Sequence, residues 1–407
     1  MKILILSQYF PPEIGAPQNR LFELACRLQS HNIEINVLTA MPNYPHMEIH
    51  DEYRGKLRAK EEMHGMTVHR RWIFVSKNSG IIFRLLNYFS FVFTSLFAGL
   101  FSIKKHDVIF CESPPLFLGI SAYIICKIRG SKLIFNVSDL WPESAEKLGL
   151  VTNKTVLGMA TILEEFLYKK SILVTGQTQG IVKDISTRFP EKEVYWLPNG
   201  VDLTLFSPDD IQSNFRKDNN FQEDDILLYY AGIMGFAQGL DVILNGAKKV
   251  VDSRVKIIML GEGPEKERLV KKKNEENIDN VIFLSALSKN EMPAFVAAMD
   301  VSIVPLRKLD LFKGAIPSKI FENLAMKKPI LLGVEGEAYD LFIRDGEAGL
   351  FFEPENVEQL AISINKLVTN PELIKTLGEN GRRYVSNNFD RNMLANNFSE
   401  KLQNIFS

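Results

Sequence analysis

Residues 225–251 read DILLYYAGIMGFAQGLDVILNGAKKVV. Positions 225–231 read as a strand and 239–251 as a helix, with Gly232, Gly235 and Gly239 between them. Strand, glycine-rich turn and helix together open a parallel α/β unit, and this opening falls midway along a chain of 407 residues. The residues before it already alternate in the same way. Strands are expected at 2–7, 33–39, 67–72, 108–111, 132–137, 173–176 and 194–197, with helices such as 18–30 and 116–129 between them. After it, strands are expected at 255–260, 281–284, 301–305 and 329–333, and helices at 264–277, 290–298 and 318–326. The pattern runs twice. The break falls at Pro198-Asn199-Gly200-Val201-Asp202, a turn composition expected to hold a residue at positive φ, followed by a polar stretch to Asp225. The expected fold class is therefore α/β, two Rossmann-like doubly wound parallel-sheet domains facing across a cleft. The domains are 1–198 and 199–387, with a last helix at about 388–407 returning to the first. Open sheets of this kind bind ligands at the carboxyl ends of their strands.

Composition agrees with two globular cores. Hydrophobic residues make up 46% and charged residues 24%, which excludes disorder, collagen and coiled coil. The formal charge is −1, but residues 1–200 carry 23 Lys+Arg against 18 Asp+Glu and the remainder 25 against 31. A nucleic-acid binder would be more basic, with its charge clustered. The three cysteines, Cys26, Cys111 and Cys126, form no C-x-x-C pair and read as reduced, mostly buried thiols. The first residues, MKILILS, read as a buried strand and not a signal peptide. Residues 81–103, IIFRLLNYFSFVFTSLFAGLFSI, match a bilayer span in length. Arg84 and Asn87 interrupt them and Lys104-Lys105 follow, so the first reading is a long, mostly buried helix. A helix docked on a membrane surface, helped by Arg70, Arg71, Lys77 and Arg84, and a true span are the alternatives.

Three loops carry candidate chemistry. The first, residues 8–20, places Gly15 just before a helix, where backbone N–H groups can approach an anion, but it lacks the G-x-G-x-x-G spacing. The second is the Gly232 loop, supported by Gly261-Glu262-Gly263-Pro264, a second strand–glycine turn. The third is Leu311-Phe312-Lys313-Gly314-Ala315-Ile316-Pro317-Ser318-Lys319-Ile320-Phe321-Glu322, which puts Pro317, Ser318 and Lys319 at a helix start. Helix termini attract anions by about 0.3–2 kcal/mol, and Lys319 adds a full charge. Glu322 lies one turn further on the same face, positioned for ribose hydroxyls. An ordinary capped surface helix has the same pattern. His46 and His50 are four apart, but Pro45 and their loop setting argue against a metal pair.

Over nearly its whole length the chain resembles the family-4 retaining glycosyltransferases of GT-B architecture. The likeness rests on Pro198-Asn199-Gly200-Val201-Asp202 with Phe206 and Pro208, the Gly232 loop, Gly261-Glu262-Gly263-Pro264 and Glu322 in FENLAMKKPI. Asp139-Leu140-Trp141-Pro142-Glu143-Ser144, Ala237-Gln238-Gly239-Leu240 and Pro317-Ser318-Lys319 are similar to the branch that assembles O-antigen and capsule, including N-acetylfucosamine and N-acetylgalactosamine transferases. This resemblance implies a UDP-sugar donor and a lipid-linked acceptor, an undecaprenyl-diphosphate sugar. The chain would then be a cytoplasmic enzyme on the inner face of the membrane, with no nucleic-acid partner. GalNAc is the favoured sugar, followed by L-FucNAc or GlcNAc. Gly15, Arg20, Gly232, Gly235, Gln238, Ser318 and Lys319 would meet the diphosphate. Glu322, Gly261 and Leu287 would meet the nucleoside, and Gly314, Ala315, Ile316 and Pro317 would face the sugar. Lys319 and Asp139 would carry catalysis, although a helix cap explains Asp139 as well.

The departures from the family pattern concern charge. Ile233 and Gln238 stand where the family has Arg and Lys, Gly314 where it has a second glutamate, and Ser138 where it has a histidine. The implied diphosphate would then need Lys319 with Arg20, Lys313 or Arg307, and Asp310 is a possible stand-in for the glutamate. The sequence contains no Asp-x-Asp. Fixed dipoles and cations can take the metal's electrostatic role, so no metal or other cofactor is expected. An inactive scaffold on this fold and a nucleotide-sugar epimerase are the competing functions.

Overall fold

The computed structural model describes the whole chain except Ile14, Pro45, His46, Ser79, Leu148, Leu150 and Ser407, with Ala16 and Ile81 described by their backbone. The chain forms two compact units, Met1–Asn199 with Asn392–Ser407, and Gly200–Arg391.

In the first unit the strands are β1 (Lys2–Leu6), β2 (Glu34–Ala40), β3 (Arg58–Met63), β4 (Met66–Arg71), β5 (Val108–Ser113), β6 (Lys132–Val137), β7 (Leu173–Gly176) and β8 (Val194–Trp196). They form one sheet in the order β3-β4-β2-β1-β5-β6-β7-β8, parallel except where β3 pairs antiparallel with β4. Strand residues alternate between two cores. Ile3 and Ile5 pack with Leu21, Ala25 and Leu28 of α1 (Ala16–Gln29) on one face. Leu4 and Leu6 belong to the other face, covered by α2 (Ile81–Phe97), α3 (Leu118–Arg129) and α4 (Lys154–Lys170). Burial on both faces is why β1 and β5 are continuous apolar runs.

The second unit has β9 (Ile226–Ala231), β10 (Val255–Leu260), β11 (Val281–Leu284), β12 (Val301–Pro305), β13 (Ile330–Gly333) and β14 (Gly349–Phe351), all parallel, in the order β11-β10-β9-β12-β13-β14. Helix α5 (Lys319–Ala325) lies between β12 and β13. The last helix, α6 (Arg391–Phe406), returns to the first unit, where Phe398 packs against Phe110 and Tyr195.

Several expectations need correction. Strand β3, RAKEEM, was absent from the sequence reading because it has almost no apolar alternation; its charges decorate a sheet edge. The available signal was His64-Gly65, both at positive φ, which turns the chain into β4. Strand β14 is three residues long and equally silent. The helix expected at 239–251 occupies only Asp241–Ala247. Gly200 is not among the positive-φ residues; the chain there leaves Val201 bridged to Asp390. The run 81–103 forms α2 and a π-turn, Ala98–Ser102, but the expected burial fails, since only 33% of an apolar 18-residue window within Ile82–Ser102 lies inside. Of the basic residues expected to aid docking, Arg70 is fully buried against Glu61 and Arg71 is buried, whereas Lys77, paired with Glu48, and Arg84 are exposed.

Candidate functional site

The sheet order of the second unit reverses between β9 and β12, and the carboxyl ends of those two strands bound the crevice where such folds take ligands. One end is Ala231-Gly232, the other Pro305-Leu306-Arg307.

Lys319 reaches into the first of these. Its ammonium lies 3.8 Å from the centroid of the Tyr230 ring. A Cβ on Gly232, at φ +143°, would come within 3.0 Å of that nitrogen, so a glycine there leaves space for the amine. The side chain is held from beneath. Asn323, one turn along α5, accepts a hydrogen bond from the Tyr229 hydroxyl and donates to Ser302, tying the helix to β9 and β12. The Tyr230 hydroxyl donates to the Ile233 carbonyl at 2.6 Å and shapes the loop. Burial pushes the Lys319 amine down to about 7, with Glu322 in opposition. The residue as a whole is half-buried. A cation desolvated over an aromatic ring is stabilised by an incoming anion.

Arg307 stands at the other edge. Its backbone N–H donates to Ala237 at 3.0 Å, and its guanidinium lies flat over the Phe236 ring, 3.5 Å from the centroid. Its Nε is buried without a hydrogen-bond partner. The other candidate cations are already matched. Lys313 pairs with Asp310 at 2.7 Å on the exposed surface, and Lys308 pairs with Glu353. Arg20 lies in the first unit, 6% exposed, bonded to Glu112 at 3.0 Å and to Ser138 at 2.7 Å. These bonds use Nη2 of Arg20, while its Nε, like that of Arg307, is buried without a hydrogen-bond partner.

The glycines divide by cause. A Cβ on Gly261 would lie 1.9 Å from the Gly232 carbonyl oxygen, and one on Gly263 2.4 Å from that of Met234. The two loops interlock through Met234 N–H to Glu262 and Glu265 N–H to Met234, at 2.8 and 3.0 Å. Gly261 is thus required by the neighbouring backbone. Gly235 is extended, with open space around its Cβ direction. Gln238 ends the short 3-10 turn Phe236–Gln238. Ser318 precedes α5 without a side-chain cap, Glu322 sits in its first turn, and Gly314 faces open space ahead of Ala315, Ile316 and Pro317. Leu287 is in the exposed loop after β11.

In the first unit, Gly15 begins α1 in extended conformation with the Gln18 amide folded over it. Asp139 is exposed and accepts a hydrogen bond from Ser144, a residue of the following short helix. Ser138, where the family has histidine, closes a buried network of Arg20, Glu112, Asn136 and Thr175. His46 lies outside the described residues. Sequence reading missed Tyr230, Phe236 and Asn323. Tyr230 and Phe236 flank the glycines and offered a signal; Asn323 offered none.

Residues 211–384 match the family model described as glycosyl transferases group 1. The chain is 25% identical over 381 residues to the putative colanic acid biosynthesis glycosyl transferase WcaI of Escherichia coli K12, covering 91% of this chain and 93% of that protein. It is 24% identical over 264 residues to the lipopolysaccharide 1,2-N-acetylglucosaminetransferase of Salmonella typhimurium, covering 62% and 68%. Anabaena HepE, solved with UDP and glucose, superposes with a TM-score of 0.73 at 18% identity, covering 99% of this chain and 100% of that one. The fold is therefore GT-B. The match to the glycosyl transferases group 1 model lies within the second unit.

Proposed function

We propose that the protein is a retaining glycosyltransferase that moves an N-acetylhexosamine, GalNAc before L-FucNAc or GlcNAc, from a UDP-sugar to a lipid-diphosphate-linked saccharide at the inner membrane face, in assembly of a surface polysaccharide. The observation that carries it is the desolvated Lys319 ammonium beside the Gly232 turn, at the point where the sheet order reverses. A nucleoside diphosphate set there receives Lys319 on one side and Arg307, which has no carboxylate partner among the described residues, on the other. Fixed cations stabilise the leaving group as the glycosidic bond breaks. With retention, the departing phosphate accepts the acceptor's proton, so Ser138 in place of histidine is tolerated. The relatives support the class of product: WcaI is named for colanic acid and the Salmonella enzyme for lipopolysaccharide and N-acetylglucosamine. HepE supports UDP as the nucleotide.

The test is a donor screen of UDP-GalNAc, UDP-GlcNAc and UDP-L-FucNAc with a lipid-diphosphate sugar, with and without EDTA. Transfer from one donor, undiminished by EDTA, is expected. Complete loss on chelation, restored by Mg²⁺, overturns the metal-independent mechanism. Interconversion of the donor sugars without acceptor indicates an epimerase.

A further inference from the structure

The three helices that cover one face of the first unit are apolar on both sides. Their inner residues, among them Phe91, Ala122 and Leu167, join the core. Their outer residues have no cover. On α2 and its π-turn, Leu86, Phe93, Phe97 and Phe101 follow one another at seven- and four-residue intervals, and Phe101 is 77% exposed. On α4, Met159 and Ile162 are 68% and 71% exposed. Helix α3 lies between them, joined to α2 by the Ser95–Ser121 hydroxyl pair at 2.9 Å and to α4 by the Tyr123–Phe166 ring contact at 4.8 Å. Its outward Ile128 is exposed too. An apolar surface carried across three adjacent helices exceeds the isolated exposed side chains usual on a soluble protein.

Charge says what covers it. Neither α2, its π-turn nor α3 contains a single Asp or Glu. Each of the three helices crosses over between parallel strands, so all run against the strands and end at the same sheet edge. At that edge stand Lys104 and Lys105 after the π-turn, Lys127 in the last turn of α3 and Lys170 in that of α4, with Arg129 beside Lys127, and Lys169, which pairs with Glu165, beside Lys170. The ends are physically close: a Cβ on Gly130 would lie 3.5 Å from the Lys105 amine, and Arg129 donates to the Leu100 and Ile103 carbonyls. An apolar face with a basic rim matches a bilayer with anionic headgroups, where each cation near the surface adds about 1 kcal/mol.

We propose that α2, α3 and α4 together form a docking face for an anionic membrane surface, on which the first unit lies flat. The long apolar helix does not cross the bilayer. Asn87, midway along α2, accepts from Gln8 at 2.8 Å and donates to Phe74 at 2.6 Å, and Phe91 is fully buried. Spanning would strand these polar groups in hydrocarbon. The proposal rests on the lipid-linked acceptor for its purpose, and it extends the contact from α2 to α4.

The experiment is co-sedimentation of the full chain with vesicles of phosphatidylglycerol or of phosphatidylcholine alone. Phosphatidylglycerol vesicles should bring it down and phosphatidylcholine vesicles should not. Met159→Glu with Ile162→Glu on α4, and separately Phe97→Glu with Phe101→Glu, should each weaken partitioning by roughly tenfold or more, at unchanged thermal stability and unchanged UDP binding. Lys104→Glu with Lys105→Glu should reduce binding to the anionic vesicles. Wild-type sedimentation of the α4 variant would confine docking to α2 and overturn the proposal. So would equal binding to both lipids, or a vesicle-indifferent protein whose dimer is broken by the α4 substitutions. UDP binding without vesicle binding separates failure here from failure of the transferase reading.

Discussion

Lys319 is poised near neutrality because its amine is held over Tyr230 away from water. With its pKa down at about 7 in the folded protein and about 10.4 unfolded, the native state holds fewer protons than the unfolded state between those values. Stability contributed by this group therefore rises with pH across that window and is flat below it. A bound diphosphate reverses the shift by supplying negative charge. At pH 8, UDP binding should take up close to one proton, read as a dependence of the calorimetric heat on buffer ionisation enthalpy. Lys319→Ala should abolish that uptake and lower turnover by ~10²–10³; unchanged uptake would place the proton elsewhere. Arg307→Gln should weaken UDP by roughly tenfold or more, the scale of a charged hydrogen bond, and leave uridine untouched. Equal weakening of both would mean that Arg307 only props Phe236.

At the scale of elements, the glycine loops after β9 and β10 work as one interlocked piece. Gly261→Ala drives a methyl into the Gly232 carbonyl at a φ of +143°, so a loss of stability above about 1 kcal/mol is expected in denaturant unfolding. Gly235→Ala, with open space and an extended backbone, should change stability by less than about 0.5 kcal/mol. Equal effects would contradict the interlock. The same comparison shows why a glycine count misleads: of the positions singled out from sequence, Gly232 makes room for the Lys319 amine, Gly261 makes room for the neighbouring loop, and Gly235 has open space about it. The elements that escaped sequence reading failed for similar local reasons. The polar edge strand β3 carries no hydrophobic period, and the outward stripe of α2 is as apolar as its buried side, so periodicity could not tell which was covered.

For the whole molecule, the chain ends in the unit where it began. Phe398 and Leu402 of α6 are fully buried with Phe110 and Leu197 in the core shared with α1. Phe398→Ala should cost about 3–5 kcal/mol, and it should lower the melting of the first unit even though the substitution lies close to the C-terminus. A neutral result would mean that α6 does not belong to that core.

By itself, the sequence determined the two-fold repetition of strand and helix, the parallel sheets and the helix start at which Lys319 stands. Those depend on apolar runs, turn residues and short spacings, all of which are local. Only tertiary structure decided which cations are free. Arg20, Lys313 and Arg307 are equivalent letters until the first two are seen paired with Glu112 and Asp310 while Arg307 rests on Phe236. It also decided which side of α2 meets water. Pairing and burial depend on contacts between residues far apart in sequence, and no local pattern records them.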